Sequence, residues 1–356
     1  MVIADLARHI DRSRFDVCVC YLRENGVVGR LLEQDGIKLY SLSARRDGRT
    51  DYMTSMRLRR FVREASIEII HSHDTHGLFD CSIVRCLMPS IRHIHTFHFG
   101  NYPNLSRDHA RFERLVWRRP DRLIAVGAAQ AKSIEAFYRM RSGRLRIIRN
   151  GVIEHRPIAD DSLAELAASR GVPVVASIST LTTQKGLSHL LDAVSILKSR
   201  NLNVVLFVAG DGRLRQSLEQ QAAALRITQN VEFLGWVPEA ARRLLPICDL
   251  FVQSSLWEAT SIVVLEAMAA AKPLVVTSVG ETPHILRNRE SALIVPAGDS
   301  VALADAIGEL LIDRNLASRL GACARSAYAS EHGVLRMASD YEAAYHELAR
   351  TRPQCR

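Results

Sequence analysis

Short apolar runs rich in branched residues alternate with helical patterns along the whole chain, and this alternation restricts the fold more than any other feature. In the first part, "FDVCVCYL" (15–22), "IKLYSL" (37–42), "IEIIHS" (67–72), "IRHIHTF" (91–97) and "DRLIAV" (121–126) read as strands bounded by turn signals. Between them, Leu58, Phe61, Val62 and Ala65 fall at i, i+3, i+4 and i+7, which predicts an amphipathic helix over 53–65 with Arg57, Arg59, Arg60 and Arg63 toward water. The pattern restarts after "NGVIEHRPIADD" (150–161), which has Gly, Pro and charge but no periodicity and reads as a linker. Then "VPVVASIST" (172–180), "NVVLFVAG" (203–210), "NVEFLG" (230–235), "CDLFVQSS" (248–255), "KPLVVTS" (272–278) and "SALIVPA" (291–297) supply a second set of strands. Strand–helix–strand repetition predicts parallel sheets with right-handed crossovers. The expected class is α/β, with two tandem Rossmann-like doubly wound domains at 1–151 and 152–334. A C-terminal helix at 335–356 is expected to pack back on the first domain. Open sheets of this kind bind ligands beyond the carboxyl ends of their strands, so a cleft between the domains is the expected site.

A length of 356 residues suits two cores, and an apolar content of 47% is that of a globular chain. No apolar run approaches the ~18–20 residues that span a bilayer. The opening "MVIADLARHIDRSRF" lacks the long apolar stretch and cleavage site of a signal peptide. The seven cysteines (Cys18, Cys20, Cys81, Cys86, Cys248, Cys323, Cys355) are odd in number and show no C-x-x-C spacing. They read as reduced thiols of a cytoplasmic protein. Charge is uneven. Residues 1–150 hold 27 Lys and Arg against 16 Asp and Glu, and the remainder 20 against 22. A basic half suits phosphorylated ligands or an anionic membrane surface, here through Arg-rich 53–65 and "RFERLVWRRPDR" (111–122). The expected location is the cytoplasm, either free or peripherally on the inner face of the cytoplasmic membrane. Nucleic acid is not expected, since neither zinc-finger spacing nor an aromatic-basic RNA-binding signature is found.

"IEIIHSHDTHG" (67–77) clusters His71, His73, Asp74 and His76. A zinc-binding H-x-H-x-D-H would place the aspartate one position later, and zinc is exacting about ligand geometry. His71 and His73 fall at a strand end, as His98 does after the next strand, so they are expected to line a cleft rather than hold a metal.

The densest chemical signal is "SSLWEATSIVVLEAMAAAKPLVVTSVGETPHIL" (254–286). A helix over "ATSIVVLEAMAAA" would set Glu258 and Glu266 about 80° apart on one face, with free N–H groups at its start facing an anion. In "STLTTQKGLSHLL", Lys185 stands at the mouth of a helix, placed to neutralise a diphosphate. Gly210 and Gly212 of "VAGDGRLRQSLE" permit a tight turn, and a bare G-x-G carries little more than that.

The ordered set "RNGV" (149–152), "LTTQKG" (181–186), "GDG" (210–212), "FLGWVP" (233–238), Glu258-x7-Glu266 with "EAM", and "SVGETP" (278–283) resembles glycosyltransferase family 4. "HSH", "HTFH" and "DRLIAVGAAQAKSI" (121–134) match that family's first domain, so the resemblance covers nearly the whole chain. It implies the GT-B fold and a retaining transfer from a nucleotide-diphosphate sugar to a hydroxyl of a glycan or lipid-linked acceptor. By the same resemblance His98, Lys185 and Glu258 are the catalytic candidates. Glu258 contacts the donor sugar, Lys185 the departing diphosphate, and His98 the sugar near the reaction centre. Donor binding falls to Gly235, Val237, Glu258, Ala259, Thr260, Ser261, Ile262 and Glu266, with Glu266 on the ribose and the backbone around Gly235 and Val237 on the base. No cofactor and no metal is implied. The chain departs from the pattern at Ser179-Thr180, where Gly-Arg is usual, and at Ala259-Thr260-Ser261, where glycines are usual. It departs again at His284, where a carboxylate is usual, and "MVIADLARHI" matches a helix that in the family follows a first strand and glycine-rich loop. These departures leave open a nucleotide-sugar-binding protein without catalysis, and a nucleotide-sugar epimerase on the same fold.

Overall fold

The computed structural model describes residues 2–21, 26–42, 53–98, 102, 105 and 107–350. Leu22, Phe99, Gly100, Cys355 and the end of the predicted C-terminal helix, to which parts of the sequence reading extend, lie outside them. The chain divides into two compact units, Met1–Gly151 with Val334–Arg356, and Val152–Gly333.

Unit 1 has strands β1 (Cys18–Tyr21), β2 (Lys38–Ser41), β3 (Ile69–Ser72), β4 (Arg92–Phe97), β5 (Arg122–Ala125) and β6 (Leu145–Ile147). Its helices are α1 (Val2–His9), α2 (Val27–Gln34), α3 (Thr54–Glu64), α4 (Thr75–Leu87), α5 (Arg107–Val116) and α6 (Ala128–Tyr138). All strand pairs are parallel, as β1-β2 and as β3-β4-β5-β6. Among the described residues β1 pairs only with β2 and β3 only with β4, so the sheet stands in two pieces. One core joins the pieces: Leu58 and Val62 of α3, Cys81 and Val84 of α4 and Ile70 of β3 bury together, with Cys20 of β1 packed against them. Phe61 of α3 is half-buried there, while Ala65, expected on the same stripe, is exposed at the helix end.

Unit 2 has strands β7 (Val174–Ile178), β8 (Val205–Ala209), β9 (Val231–Gly235), β10 (Leu250–Gln253), β11 (Leu274–Thr277) and β12 (Leu293–Val295). Its helices are α7 (Asp161–Arg170), α8 (Leu187–Ser199), α9 (Arg215–Ala224), α10 (Ala240–Leu244), α11 (Ile262–Ala269), α12 (Thr282–Ile285), α13 (Ser300–Ile312) and α14 (Arg314–Glu331). The parallel sheet runs β12-β11-β10-β7-β8-β9. Successive strand residues point to opposite faces, and both faces are covered, so the strands read as unbroken apolar runs. Val175, Leu206, Val208 and Val252 bury on the side of α8 and α13, whereas Val174, Ala176, Phe207 and Phe251 bury on the side of α11. Aspartates start the helices: Asp160, Asp299 and Asp313 accept from the backbone N–H three residues on, at α7, α13 and α14. α15 (Val334–Arg350) returns to unit 1, where Tyr341 and Tyr345 are buried. No helix among the described residues is long and apolar enough to cross a membrane.

Candidate active site

In unit 2 the chain lays down β7, β8 and β9 in one direction and then returns to add β10 on the other side of β7. The strand order therefore reverses between β7 and β10, which opens a crevice at their carboxyl ends. The loops leaving these two strands carry Lys185 and Glu258.

After β7, Thr183–Lys185 form a single tight helical turn, and Gly186 takes a left-handed φ of 59° to start α8. Only glycine fits there, because a Cβ would stand 2.1 Å from the carbonyl oxygen of Ser254. The close approach is fastened by Leu256 N–H donating to Gln184 O (2.7 Å), Ser254 Oγ to Lys185 O (2.9 Å) and Gln184 Nε2 to Trp257 O (3.0 Å). Lys185 Nζ is thereby set 2.5 Å from Glu258 Oε1. Glu258 is the hub of the cluster. Ser255 Oγ donates to Oε1 at 2.9 Å, Gln253 Nε2 to Oε1 at 3.4 Å and Gln184 Nε2 to Oε2 at 3.3 Å. The side chains of Lys185 and Glu258 are 20% and 8% exposed. Removing either partner of so buried a pair leaves an uncompensated charge, a change that costs more than an intact pair contributes.

Glu258 is not on a helix. α11 begins at Ile262 with Ser261 at its N-cap, and Glu258 lies in the loop after β10. The expectation of Glu258 and Glu266 sharing one helix face is therefore corrected. Burial of the β10 end draws Glu258 inward, and the left-handed Gly280 (φ 53°) then crosses so close that a Cβ would meet the carbonyl oxygens of Glu258 and Ala259 at 2.4 Å. Ala259 is buried under this crossing, and its carbonyl accepts from Glu281 N–H (2.9 Å). Thr260 and Ser261 are half-buried on the approach to α11, and the Ser261 side chain makes no capping bond to its first turn. Ile262 and Glu266 are half-buried within α11.

Gly235 ends β9 with φ 69°, and its carbonyl accepts from Gly210 N–H (2.6 Å), joining the ends of β8 and β9. Val237 packs on the core beneath α10. Between them Trp236 is 63% exposed. The sequence reading passed over it as one residue of a motif, although an exposed indole at a carboxyl strand end is itself a signal for a stacking surface.

In unit 1 His98 follows β4, and its Nε2 is 2.9 Å from His73 Nδ1, so one nitrogen of the pair donates to the other. His71 contacts Tyr345 OH and Thr96 Oγ1, each at 2.8 Å. On the opposite face of the sheet Ser72 Oγ contacts His93 Nε2 (2.8 Å) and His95 Nδ1 (2.9 Å). Burial pushes His98 down to about 4 and His93 to about 3. It holds His71, His73 and His95 well below the ordinary histidine range, with neighbouring imidazoles adding to the effect. All five are uncharged at neutral pH. Asp74 caps α4 through Gly77 N–H (2.7 Å), and His76 is exposed on the first turn of α4. Among the described residues no group of His, Cys, Asp and Glu is arranged to hold a metal ion. The pairing of His98 with His73, and the contacts of Glu258 with Gln184 and Gln253, went unread in the sequence.

The family models for Glycosyltransferase Family 4 and for Glycosyl transferases group 1 match residues 1–156 and 160–327. The lipopolysaccharide core biosynthesis glycosyltransferase LpsE of Rhizobium meliloti (strain 1021) is 34% identical over 176 residues, 49% of this chain and 50% of that one. The uncharacterized glycosyltransferase MJ1607 of Methanocaldococcus jannaschii is 26% identical over 260 residues, 69% of this chain and 66% of that one. The chain thus spans between half and two thirds of the length of these curated relatives. Among solved structures, Anabaena Alr3699/HepE in complex with UDP-glucose shares the fold with a TM-score of 0.85 at 21% identity, over 97% of this chain and 95% of that one.

Proposed function

This chain belongs to glycosyltransferase family 4, with the two Rossmann-like domains of the GT-B fold, and from that premise we propose that it moves a sugar from a nucleotide-diphosphate sugar to a hydroxyl of a glycan or lipid-linked acceptor, with retention. The observation that carries this reading is the Lys185–Glu258 pair, held at the β7/β10 switch point by backbone contacts that only glycine permits. In the proposed step the acceptor oxygen bonds to the anomeric carbon as the bond from that carbon to the diphosphate oxygen breaks. The electron pair leaves with the diphosphate, and the acceptor's proton passes to a departing phosphate oxygen on the same face. Lys185 and the first-turn amides of α11 stabilise the negative charge that develops. Glu258 is given the sugar hydroxyls and Glu266 the ribose. The base lies along Gly235 and Val237, and Ala259, Thr260, Ser261 and Ile262 line the approach. His98 is given the donor sugar as a neutral imidazole that hydrogen-bonds without adding charge. No metal is proposed, since lysine and helix amides meet the phosphate.

That the solved Anabaena protein was captured with UDP-glucose supports a uridine nucleotide as the first donor to try. One observation favours a second reading, binding without catalysis: Thr180 stands where the family resemblance expects arginine, so one phosphate cation is absent. The test screens UDP-, GDP- and ADP-sugars by thermal shift, then follows nucleoside diphosphate release and the anomeric configuration of the product. Stabilisation by one donor with release on adding an acceptor is expected. Stabilisation without release favours the second reading, and no response to any donor overturns both.

A further inference from the structure

β3 and β4 run parallel in the register Ile69↔Arg92, Ile70↔His93, His71↔Ile94 and Ser72↔His95. Side chains alternate along a strand, so every second residue shares a face. Ser72, His93 and His95 take one face, where the serine hydroxyl contacts both imidazoles. His71 and Thr96 take the other, and His73 and His98, one step past each strand end, continue it.

His73 is held from both sides. Asp74 caps α4 through Gly77 N–H (2.7 Å), which fixes the backbone just after it. The His71 ring lies 3.9 Å from that of His73, centroid to centroid, and is itself pinned by Tyr345 OH and Thr96 Oγ1 at 2.8 Å each. On the other side the His98 ring stacks at 5.2 Å and 27°. The one side-chain hydrogen bond of His98 among the described residues joins its Nε2 to His73 Nδ1 (2.9 Å), and its Nδ1 has no partner there. A neutral imidazole has one N–H and one bare nitrogen. Both rings are neutral at neutral pH, because burial lowers their pKa, that of His98 to about 4. The nitrogen that donates across the pair therefore decides what His98 shows at Nδ1. If His73 donated, both rings would carry hydrogen on Nδ1. If His98 donates, both carry it on Nε2, the tautomer that free histidine prefers.

We infer that His73 is a positioning residue for His98: it accepts the Nε2–H hydrogen bond, fixes the ring in the Nε2–H tautomer, and leaves Nδ1 bare as an acceptor for a hydroxyl of the donor sugar. His73 acts through His98 and does not itself touch the sugar. A hydroxyl donates to the bare nitrogen, whereas an ether or deoxy carbon in its place does not, so the pair selects a sugar with a free hydroxyl there. The inference rests on the proposed transferase reading for the sugar, and on unit 1 alone for the tautomer.

The test begins with nitrogen NMR spectra of the full chain labelled at histidine, at neutral pH, with His98 assigned by its absence from His98→Ala. A bare Nδ1 and a protonated Nε2 are expected at His98, and in His73→Leu the two tautomers of His98 should average. Initial rates of nucleoside diphosphate release are then followed with whichever UDP-, GDP- or ADP-sugar stabilises the chain most. His73→Leu should lower kcat/KM roughly fivefold to tenfold, the size of one neutral hydrogen bond. Affinity for the nucleoside diphosphate, which carries no sugar, should stay that of the parent. His73→Asn, whose Oδ1 accepts where Nδ1 did, should keep most of the rate. In a His98→Ala background His73→Leu should take nothing further, since its effect passes through His98. A protonated Nδ1 at His98 in the parent, an unchanged spectrum in His73→Leu, His73→Asn as slow as His73→Leu, or a further loss in the His98→Ala background each overturns the inference. The parent spectrum decides the tautomer whether or not His73→Leu folds. The expected spectrum with no release from any donor removes the transferase reading alone, and release with a protonated Nδ1 at His98 removes the inference alone.

Discussion

Lys185 and Glu258 neutralise one another across their ion pair, and this sets what each loss should do. A donor diphosphate competes with Glu258 for the ammonium, while Glu258 keeps Ser255, Gln184 and Gln253 as donors. Lys185→Ala and Glu258→Ala should each slow transfer by roughly 100-fold, the size of one preorganised electrostatic contact. Glu266→Ala should chiefly raise the donor KM. Initial rates across donor concentration separate the cases, and three unchanged rates would remove the site. The histidines make a second expectation. Above about pH 6.5 folded and unfolded chains both hold them neutral, so their lowered pKa values do not affect stability. Below that the unfolded chain takes up protons that the folded one refuses, until the pH reaches about 4 for His98. Stability should therefore fall by up to about 1.4 kcal/mol per pH unit for each such histidine. Urea melts at pH 7.5, 6 and 5 check it, and a flat profile would show that these imidazoles are reached by water.

At the scale of elements, the loops between strands hold the site, and their glycines are the weak points. Gly280→Ala drives a Cβ into two carbonyl oxygens, so the crossing loop must shift, at about 2–4 kcal/mol for strain and displaced backbone together. Gly171 has a similar φ of 62° at the end of α7 but open space around it. Gly171→Ala should lose only the left-handed penalty, about 1–2 kcal/mol. Thermal melts of the pair measure the difference, and equal losses would mean that the loop packing contributes nothing. In unit 1, Glu113 ties α5 to Thr75 of α4, to Tyr138 of α6 and to Tyr102 before α5, through three hydroxyls. Glu113→Ala strands three buried donors and should destabilise by roughly 3 kcal/mol or more, against about 1 kcal/mol for Tyr138→Phe.

For the whole molecule, a donor that binds at the β7/β10 switch point should protect unit 2 selectively. At a hundred times its dissociation constant it adds about 2.7 kcal/mol. Hydrogen exchange should slow in 180–186, 254–262 and 280–282 and leave β3 and β4 of unit 1 largely as they were. Protection spread evenly over both units would contradict a donor site built from unit 2. EDTA should leave transfer unchanged, and a loss restored by zinc would return His71, His73 and His76 to consideration as ligands.

What the sequence determined by itself is the class and the order of elements. Strands buried on both faces must be written as short runs of branched residues, and the helices between them must carry one apolar stripe, so both are local signals. The strands found lie within the segments read, apart from β6. Its three residues, Leu145–Ile147, are too few to show a period, and they sit among arginines. The candidate residues Lys185, Glu258 and His98 were legible as motif positions, but their chemistry was not. Glu258 reads as helical by periodicity, and only the packing of the β10 end against Gly280 and the 183–186 turn holds it in a loop. Its bond to Lys185 closes 73 residues, and that of His71 to Tyr345 closes 274. Pairings at such separations are set by strand order and by the return of α15 to unit 1, which no local pattern encodes. The arginines of 111–122 were legible as charge. That Phe112 and Leu115 stand exposed beside them was decided by the tertiary structure, because burying Glu113 on three hydroxyls turns the other face of α5 outward.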